Sequence, residues 1–215
     1  MRQFLRIRDA YSRYNNHMSQ ILLATNNRGK LIEIQSLLAN TDLKLVTPAD
    51  LNLALDVKED GNTYAENAIL KALAFSDAAG MATLADDSGL EVAALDGAPG
   101  LYSARYAPGK NPTDADRRAY LLQQLKNHPQ PWKAQFRCVI AIAAPGQETE
   151  TVEGICPGEI IANERGQNGF GYDPIFRVEA LGCTMAEVNL TDKNRVSHRA
   201  LAIQAALPIL LKLNA

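Results

Sequence analysis

The spacing of apolar residues changes period several times along the chain, and each change marks an element. "QILLAT" (20–25) is an uninterrupted apolar run of buried-strand type. Leu31, Ile34, Leu37 and Leu38 then recur at helical spacing, so the polar stretch between them reads as a strand-to-helix turn. "LKLVTP" (43–48) predicts a second short strand, and "GNTYAENAILKALAFSDAAG" (61–80) a helix opened by Thr63 and closed by Gly80. "MATLADDSGL" (81–90) predicts a strand that ends in acids and leads into the Gly- and Pro-rich loop "LDGAPGLYSARYAPG" (95–109). "TDADRRAYLLQQLKN" (113–127) reads as a helix capped by Thr113, with Leu121, Leu122 and Leu125 on one face. "AQFRCVIAIAA" and "ETETVEGICPGEII" predict long strands joined at Pro145 and Gly146 as a hairpin. "SHRALAIQAALPILLKL" (197–213) predicts a last helix that Pro208 should kink or break. Alternating strands and helices with one long hairpin give an α/β fold with a mixed sheet.

Composition narrows this picture. With 215 residues, 47% apolar and 21% charged, the chain suits one globular domain with room for two lobes. A formal net charge of −2 argues against a protein that coats nucleic acid, yet leaves room for a local anion pocket. No apolar run reaches the ~18 residues of a membrane span, so a soluble protein with no membrane partner is expected. Residues 1–18 carry Arg2, Arg6, Arg8 and Arg13, but also Asp9 and no small-residue cleavage site, so a poorly ordered extension is expected before a domain at 19–215. Cys138, Cys156 and Cys183 are widely spaced with no CxxC, which suits ordinary buried thiols in a reducing, cytoplasmic compartment.

Several stretches carry possible chemistry. Thr25, Asn26, Asn27, Arg28, Gly29 and Lys30 lie between a strand and a helix N-terminus, where free amides and the helix dipole favour phosphate. The turn matches neither GxxxxGK[ST] nor GxGxxG, so by itself it fits a phosphate site and an ordinary β–α turn alike. Asn67 and Lys71 share one helical face, and Lys71 in an apolar stretch calls for an anion. Glu66, three residues after Thr63, fits a capping box. Asp86 and Asp87 at a strand end suit a hard metal or a general base, and strand alternation lets only one of them enter a site. "KEDG" (58–61) supplies further oxygens. "GQNGFGYDPIF" (166–176) sets glycines around Phe170 and Tyr172, where a flat ring could be approached by backbone and stacked on. "TDKNRVSHRA" (191–200) gathers Lys193, Arg195, His198 and Arg199, either for an anion or as a solvated face; His198 has no second ligand nearby that would suggest zinc.

Taken together, "ATNNRGK", "TYAENAILKA", "LADDSGLEV", "GAPGLYSARYAPG", "NGFGYDPIF" and "KNRVSHR" resemble, in order, the pyrophosphatases that hydrolyse inosine, deoxyinosine and xanthosine triphosphates. The resemblance covers residues 20 to about 212. It implies a mixed, twisted central sheet flanked by helices, two lobes with the active site in the cleft between them, a homodimer, and a magnesium-dependent cut between the α and β phosphates. By the same resemblance, Thr25 to Lys30 would cradle the triphosphate with Lys71 adding positive charge and Ser88 close by. Asp87 would bind Mg²⁺ and orient or deprotonate water, with Glu59 as the second metal carboxylate and Asp60 or Asp86 as alternatives. Phe170, Gly171, Tyr172, Asp173, Lys193, His198 and Arg199 would hold the base. Two residues depart from the pattern: Asn26 replaces a frequent glycine, and Lys58 stands where relatives often carry an acid. A pyrophosphatase for modified pyrimidines and a nucleotide sensor without hydrolysis are the alternative readings.

Overall fold

The structure is a computed structural model that describes residues 20–213; the N-terminal extension expected at 1–18 lies outside the described residues. Six strands form one sheet: β1 (Gln20–Leu23), β2 (Lys44–Val46), β3 (Thr83–Val92), β4 (Trp132–Ala143), β5 (Glu150–Ile160) and β6 (Phe176–Val178). Their order is β2-β1-β3-β4-β5-β6, parallel from β2 through β1 to β3 and antiparallel from β3 onwards. Among the described residues five helices accompany them: α1 (Arg28–Leu38), α2 (Tyr64–Ala79), α3 (Asp114–Leu125), α4 (Leu190–Val196) and α5 (His198–Lys212). A 3₁₀ turn spans Gly100–Arg105. Among the described residues, no helix is long and apolar enough to cross a membrane.

The two faces of the sheet follow from strand alternation. Leu22, Ala85, Val139 and Ala141 face α2 and pack with Ala68, Ala72 and Phe75. Ile21, Leu23, Leu84, Cys138, Ile140 and Ile142 face the other way, where α1 and α5 cover them with Ile34, Leu38, Ile203 and Leu210. Further along this second face the cover changes. Leu90, Val92, Ala134 and Phe136 pack under Leu121 and Leu125 of α3 and under Tyr172, Ile175 and Met185. The change of cover leaves a gap over the middle of β3, and the site lies there.

Three local expectations need correction. β3 does not stop at the acids: Asp86, Asp87, Ser88 and Gly89 stay paired with Ile140, Val139, Cys138 and Arg137. The long apolar run of β4 supplies a partner that overrides the local turn chemistry of Asp-Asp-Ser-Gly. Pro208 does not break the last helix, which runs through it. Pro208 and Gln204 both lie on the exposed face, so water can satisfy the Gln204 carbonyl that loses its intrahelical donor. Glu66 caps α2 differently from a capping box, because its carboxylate accepts from the Asn62 amide at 2.6 Å rather than from Thr63. Of the three thiols, Cys138 and Cys156 are buried, both pushed up to about 12 by burial, whereas Cys183 is partly exposed.

Helix α5 lies directly on the backbone of β5 at Gly154. A Cβ there would overlap the His198 carbonyl and the Ala202 amide. Since β5 and the first turn of α5 are both fixed by packing, Gly154→Ala should lower stability by about 1–3 kcal/mol, the usual result of overpacking. Denaturant unfolding checks this, and an unchanged midpoint would mean that α5 can shift away freely.

Candidate active site

β1 is short, and this decides where the site sits. Its last paired residue, Leu23, stands opposite Leu84, whereas β3 continues to Val92. From Asp86 to Gly89 the side of β3 towards β1 therefore carries no strand, and residues from both of its faces can reach the space beyond. The chain leaving β1 turns through residues 24–27 into α1, bounding the same space. The result is a cavity of about 650 Å³ lined by Thr25 to Lys30, Glu59, Lys71, Asp87, Ser88, Phe170 to Asp173, Lys193, His198 and Arg199, whereas Asp60, Asn67, Asp86 and Arg195, also singled out from the sequence, do not line it.

At the turn, Asn27 is the N-cap of α1. Its Oδ1 accepts from the Gly29 and Lys30 amides at 2.9 and 3.1 Å, so these two donors, expected to face phosphate, are engaged by the cap. Asn26, which replaces a frequent glycine, is not among the non-glycine residues with positive φ, which are Asn52, Asp96 and Asn111 among the described residues. The exchange of glycine for asparagine is therefore free of backbone strain.

A chain of alternating charges runs beneath the cavity. Lys30 meets Asp86 at 3.0 Å, and Asp86 meets Arg199 at 3.2 Å. Arg199 also pairs with Glu33 on α1. Glu33 meets Lys193 at 2.7 Å, and Lys193 meets Asp173 at 2.5 Å. Arg199 is 1% exposed, Asp173 3%, and Glu33 and Lys193 4% each. Burial opposes the charge on Asp86, but Lys30, Arg199 and Lys71 outweigh it and hold the carboxyl well below its usual range. Burial likewise opposes the charge on Arg199, and Asp86 and Glu33 overcome it. Burial keeps His198 neutral, pushing its pKa well below the usual value, with Arg199 and Lys193 adding to the effect.

Asp87 behaves differently. Its Oδ1 accepts from the Ser88 amide at 3.0 Å and its Oδ2 from Asn67 Nδ2 at 3.1 Å. Glu33, Glu59, Asp86 and Asp173 each pair with a cation, whereas Asp87 forms no ion pair with the described residues; Asp56, which also lines the cavity without an ion pair, is exposed, so Asp87 is the buried carboxylate left uncompensated. Burial pushes its pKa up despite Lys30, and Glu59 adds to the rise. A buried, unpaired carboxylate beside a second one is a donor set that suits a hard cation. Of the alternatives for that second carboxylate, Asp86 is used in the charge chain and Asp60 is exposed and paired with Lys58 at 2.9 Å. Glu59 lines the cavity, where it holds Lys71 at 2.6 Å. Lys71 Nζ also donates to the Asp86 carbonyl at 3.0 Å, so this lysine finds its anion.

At the other end, the Phe170 ring fills the space above Gly29. Lys193 Nζ and Arg199 Cζ lie 5.2 and 5.9 Å from its centroid. His198 stacks on Phe136 with centroids 4.7 Å apart, and its buried Nδ1 has no hydrogen-bond partner among the described residues.

The profile of the Ham1 family matches residues 21–209, which include all of these side chains. The chain belongs to the Ham1 family. It is 47% identical to the dITP/XTP pyrophosphatase of Desulforamulus reducens over 195 residues, covering 90% of this chain and 96% of that protein. The Ham1 protein of Staphylococcus aureus superposes with a TM-score of 0.80 at 42% identity, covering 90% of this chain and 98% of that one. A HAM1 protein from Coxiella burnetii gives 0.81 at 41% identity, with coverage of 90% and 98%.

In this Ham1 chain, Glu33 is the buried group that the sequence reading missed. Its signal was present: three residues after Lys30 and next to Ile34, it falls on the inner stripe of α1, where an acid needs a cationic partner. Asp114, Arg117 and Arg118 were likewise read only as parts of a helix.

Removing one member of a buried pair strands the other, so Asp86→Asn should cost about 3–5 kcal/mol in denaturant unfolding by leaving Arg199 and Lys30 short of an anion. A loss under 1 kcal/mol would mean that solvent already screens the pair. Because the folded-state pKa of Asp86 is depressed, its contribution is present above pH ~4 and lost as pH falls through the folded value. The parent's stability should therefore decline on acidification more steeply than that of Asp86→Asn.

Proposed function

We propose that the protein hydrolyses non-standard purine nucleoside triphosphates, those of inosine, deoxyinosine and xanthosine, to the monophosphate and pyrophosphate; the name dITP/XTP pyrophosphatase carried by its relatives supports the deoxyinosine and xanthosine substrates. The observation that carries this reading is Asp87: one buried carboxylate without a counterion, beside Glu59, with the ammonium groups of Lys30 and Lys71 nearby. Lys30 and Lys71 rest on carboxylates and become available to phosphate oxygens when a polyphosphate competes for them. Asn67 and the Ser88 amide fix the Asp87 carboxylate, which orients the attacking water and accepts its proton. Asp87 and Glu59 would hold Mg²⁺, which when bound offsets negative charge on the phosphates.

Base choice follows from donor inventory. Arg199 has five N–H groups, and four go to Asp86, Asp86 again, Ser88 and Glu33. Lys193 has three and gives two to Asp173 and Glu33. Each keeps one donor and neither can accept, which suits the 6-oxygen of hypoxanthine or xanthine and not the amino group of adenine. Phe170 supplies the ring on which the base stacks. Likeness to the family adds a homodimer in the cytoplasm to this reading.

Pyrophosphate release from a nucleotide panel tests it. Inosine and xanthosine triphosphates should exceed adenosine triphosphate in kcat/KM by at least ~10²-fold, since a mismatched buried donor costs about 1–3 kcal/mol and two compound. Equal use of inosine and adenosine triphosphates would overturn the base assignment, and preferred use of a modified pyrimidine would favour the other pyrophosphatase reading. Asp87→Asn should lower kcat by about 10³-fold with the fold intact, and chelation of divalent cations should abolish turnover. Activity of the variant within threefold of the parent would remove Asp87 from the mechanism.

A further inference from the structure

Gly171 sits in the middle of the aromatic segment at 168–173, and both polar groups of its backbone end on α3. Its N–H donates to Asp114 Oδ2 at 2.7 Å, and its carbonyl accepts from Arg118 Nη1 at 2.9 Å. Each α3 side chain is itself braced. Arg118 is held in a two-pronged pair by Glu164, Nε to Oε1 at 2.8 Å and Nη2 to Oε2 at 3.0 Å. Asp114 is held by Arg117, whose Nη1 donates to the carbonyls of Pro112 at 2.6 Å and Ala104 at 3.1 Å. Ala104 belongs to the 3₁₀ turn that forms another wall of the cavity, and in that turn the Ser103 carbonyl accepts from the Tyr172 hydroxyl at 2.9 Å.

The segment needs such bracing. Gly166, Gly169 and Gly171 all have left-handed backbone, with φ of 78°, 75° and 61°, so the unrestrained chain would have unusual freedom to abandon this shape. Nothing stands within 4 Å of a Cβ at Gly171, so glycine is required there by its backbone conformation and not by crowding. Charge-assisted hydrogen bonds to both ends of one residue are a strong and direction-specific restraint.

We propose that Asp114 and Arg118 are positioning residues: they hold Gly171, and through it the Phe170 ring, preformed for the purine base, and thereby set KM while leaving the hydrolytic step alone. This rests on the reading of Phe170 as the base platform. A segment ordered in advance spares the substrate the entropy of ordering it, whereas a loosened one weakens ground state and transition state equally.

The test combines two measurements on the full chain and on Asp114→Ala, Arg118→Ala and Asp114→Asn. Amide hydrogen exchange over 168–173 in the ligand-free protein reads the tether without substrate. Steady-state kinetics with inosine triphosphate reads its consequence. Both alanine variants should exchange faster and show KM raised about tenfold, with kcat within about twofold of the parent. Asp114→Asn keeps an oxygen for the Gly171 amide and should stay within about threefold of the parent KM. Unchanged exchange in both alanine variants would overturn the tether. Faster exchange with an unchanged KM, or a fall in kcat alone, would overturn the positioning role. A parent that releases no pyrophosphate would overturn the function reading instead, and the exchange data would still decide the tether.

Discussion

The buried chain of charges Lys30, Asp86, Arg199, Glu33, Lys193 and Asp173 fixes how the parts of this molecule that could touch a ligand stand relative to one another. It ties the helix α1 to the middle of β3, the start of α5, the middle of α4 and the aromatic segment around Phe170. Burying so many charges is costly, and an apolar replacement of equal volume often serves stability as well or better. What the chain of charges adds is direction. Each carboxylate accepts from specific donors on other elements, so a shift of α1 would break several short contacts together, where a purely apolar seam could slide.

The same arrangement explains why the cavity is not a pool of free positive charge. Lys30 and Lys71 are neutralised by Asp86 and Glu59, and Arg199 and Lys193 by Glu33 and its neighbours. Asp87 is the exception, and its uncompensated state is tolerable because Asn67 and the Ser88 amide hydrogen-bond it and because its proton affinity is raised. A buried group held in that condition has a reason to bind a cation that the buried, ion-paired Glu33, Asp86 and Asp173 lack.

Much of this was legible in the chain itself. The period of the apolar residues located the long hairpin and the capped helices, because Thr63, Gly80 and Thr113 are strong local signals. The residues gathered round the cavity were legible through six motifs acting together. What the sequence hid was long-range. That β3 continues past Asp87 depends on β4, about fifty residues later, and that Pro208 is harmless depends on which side of α5 meets water. Glu33 looked like one more polar residue on an amphipathic helix until Lys193 and Arg199 arrived from the far end of the chain. The bracing of Gly171 by Asp114 and Arg118 joins positions more than fifty apart and left no periodic trace.

The short β1 strand has one more consequence. Past Leu84, the side of β3 towards β1 is an unpaired sheet edge inside the cavity, and such an edge ordinarily invites pairing with any extended chain, the first step towards aggregation. Here three of the backbone groups facing that way already have partners: Lys71 donates to the Asp86 carbonyl, the Ser88 amide donates to the Asp87 carboxylate, and the Leu90 amide to the Ser103 hydroxyl. The side chains that shape the pocket thus also act as chaperones of their own strand, and a substitution at Lys71 or Asp87 carries a second risk, in solubility, that no activity assay would reveal.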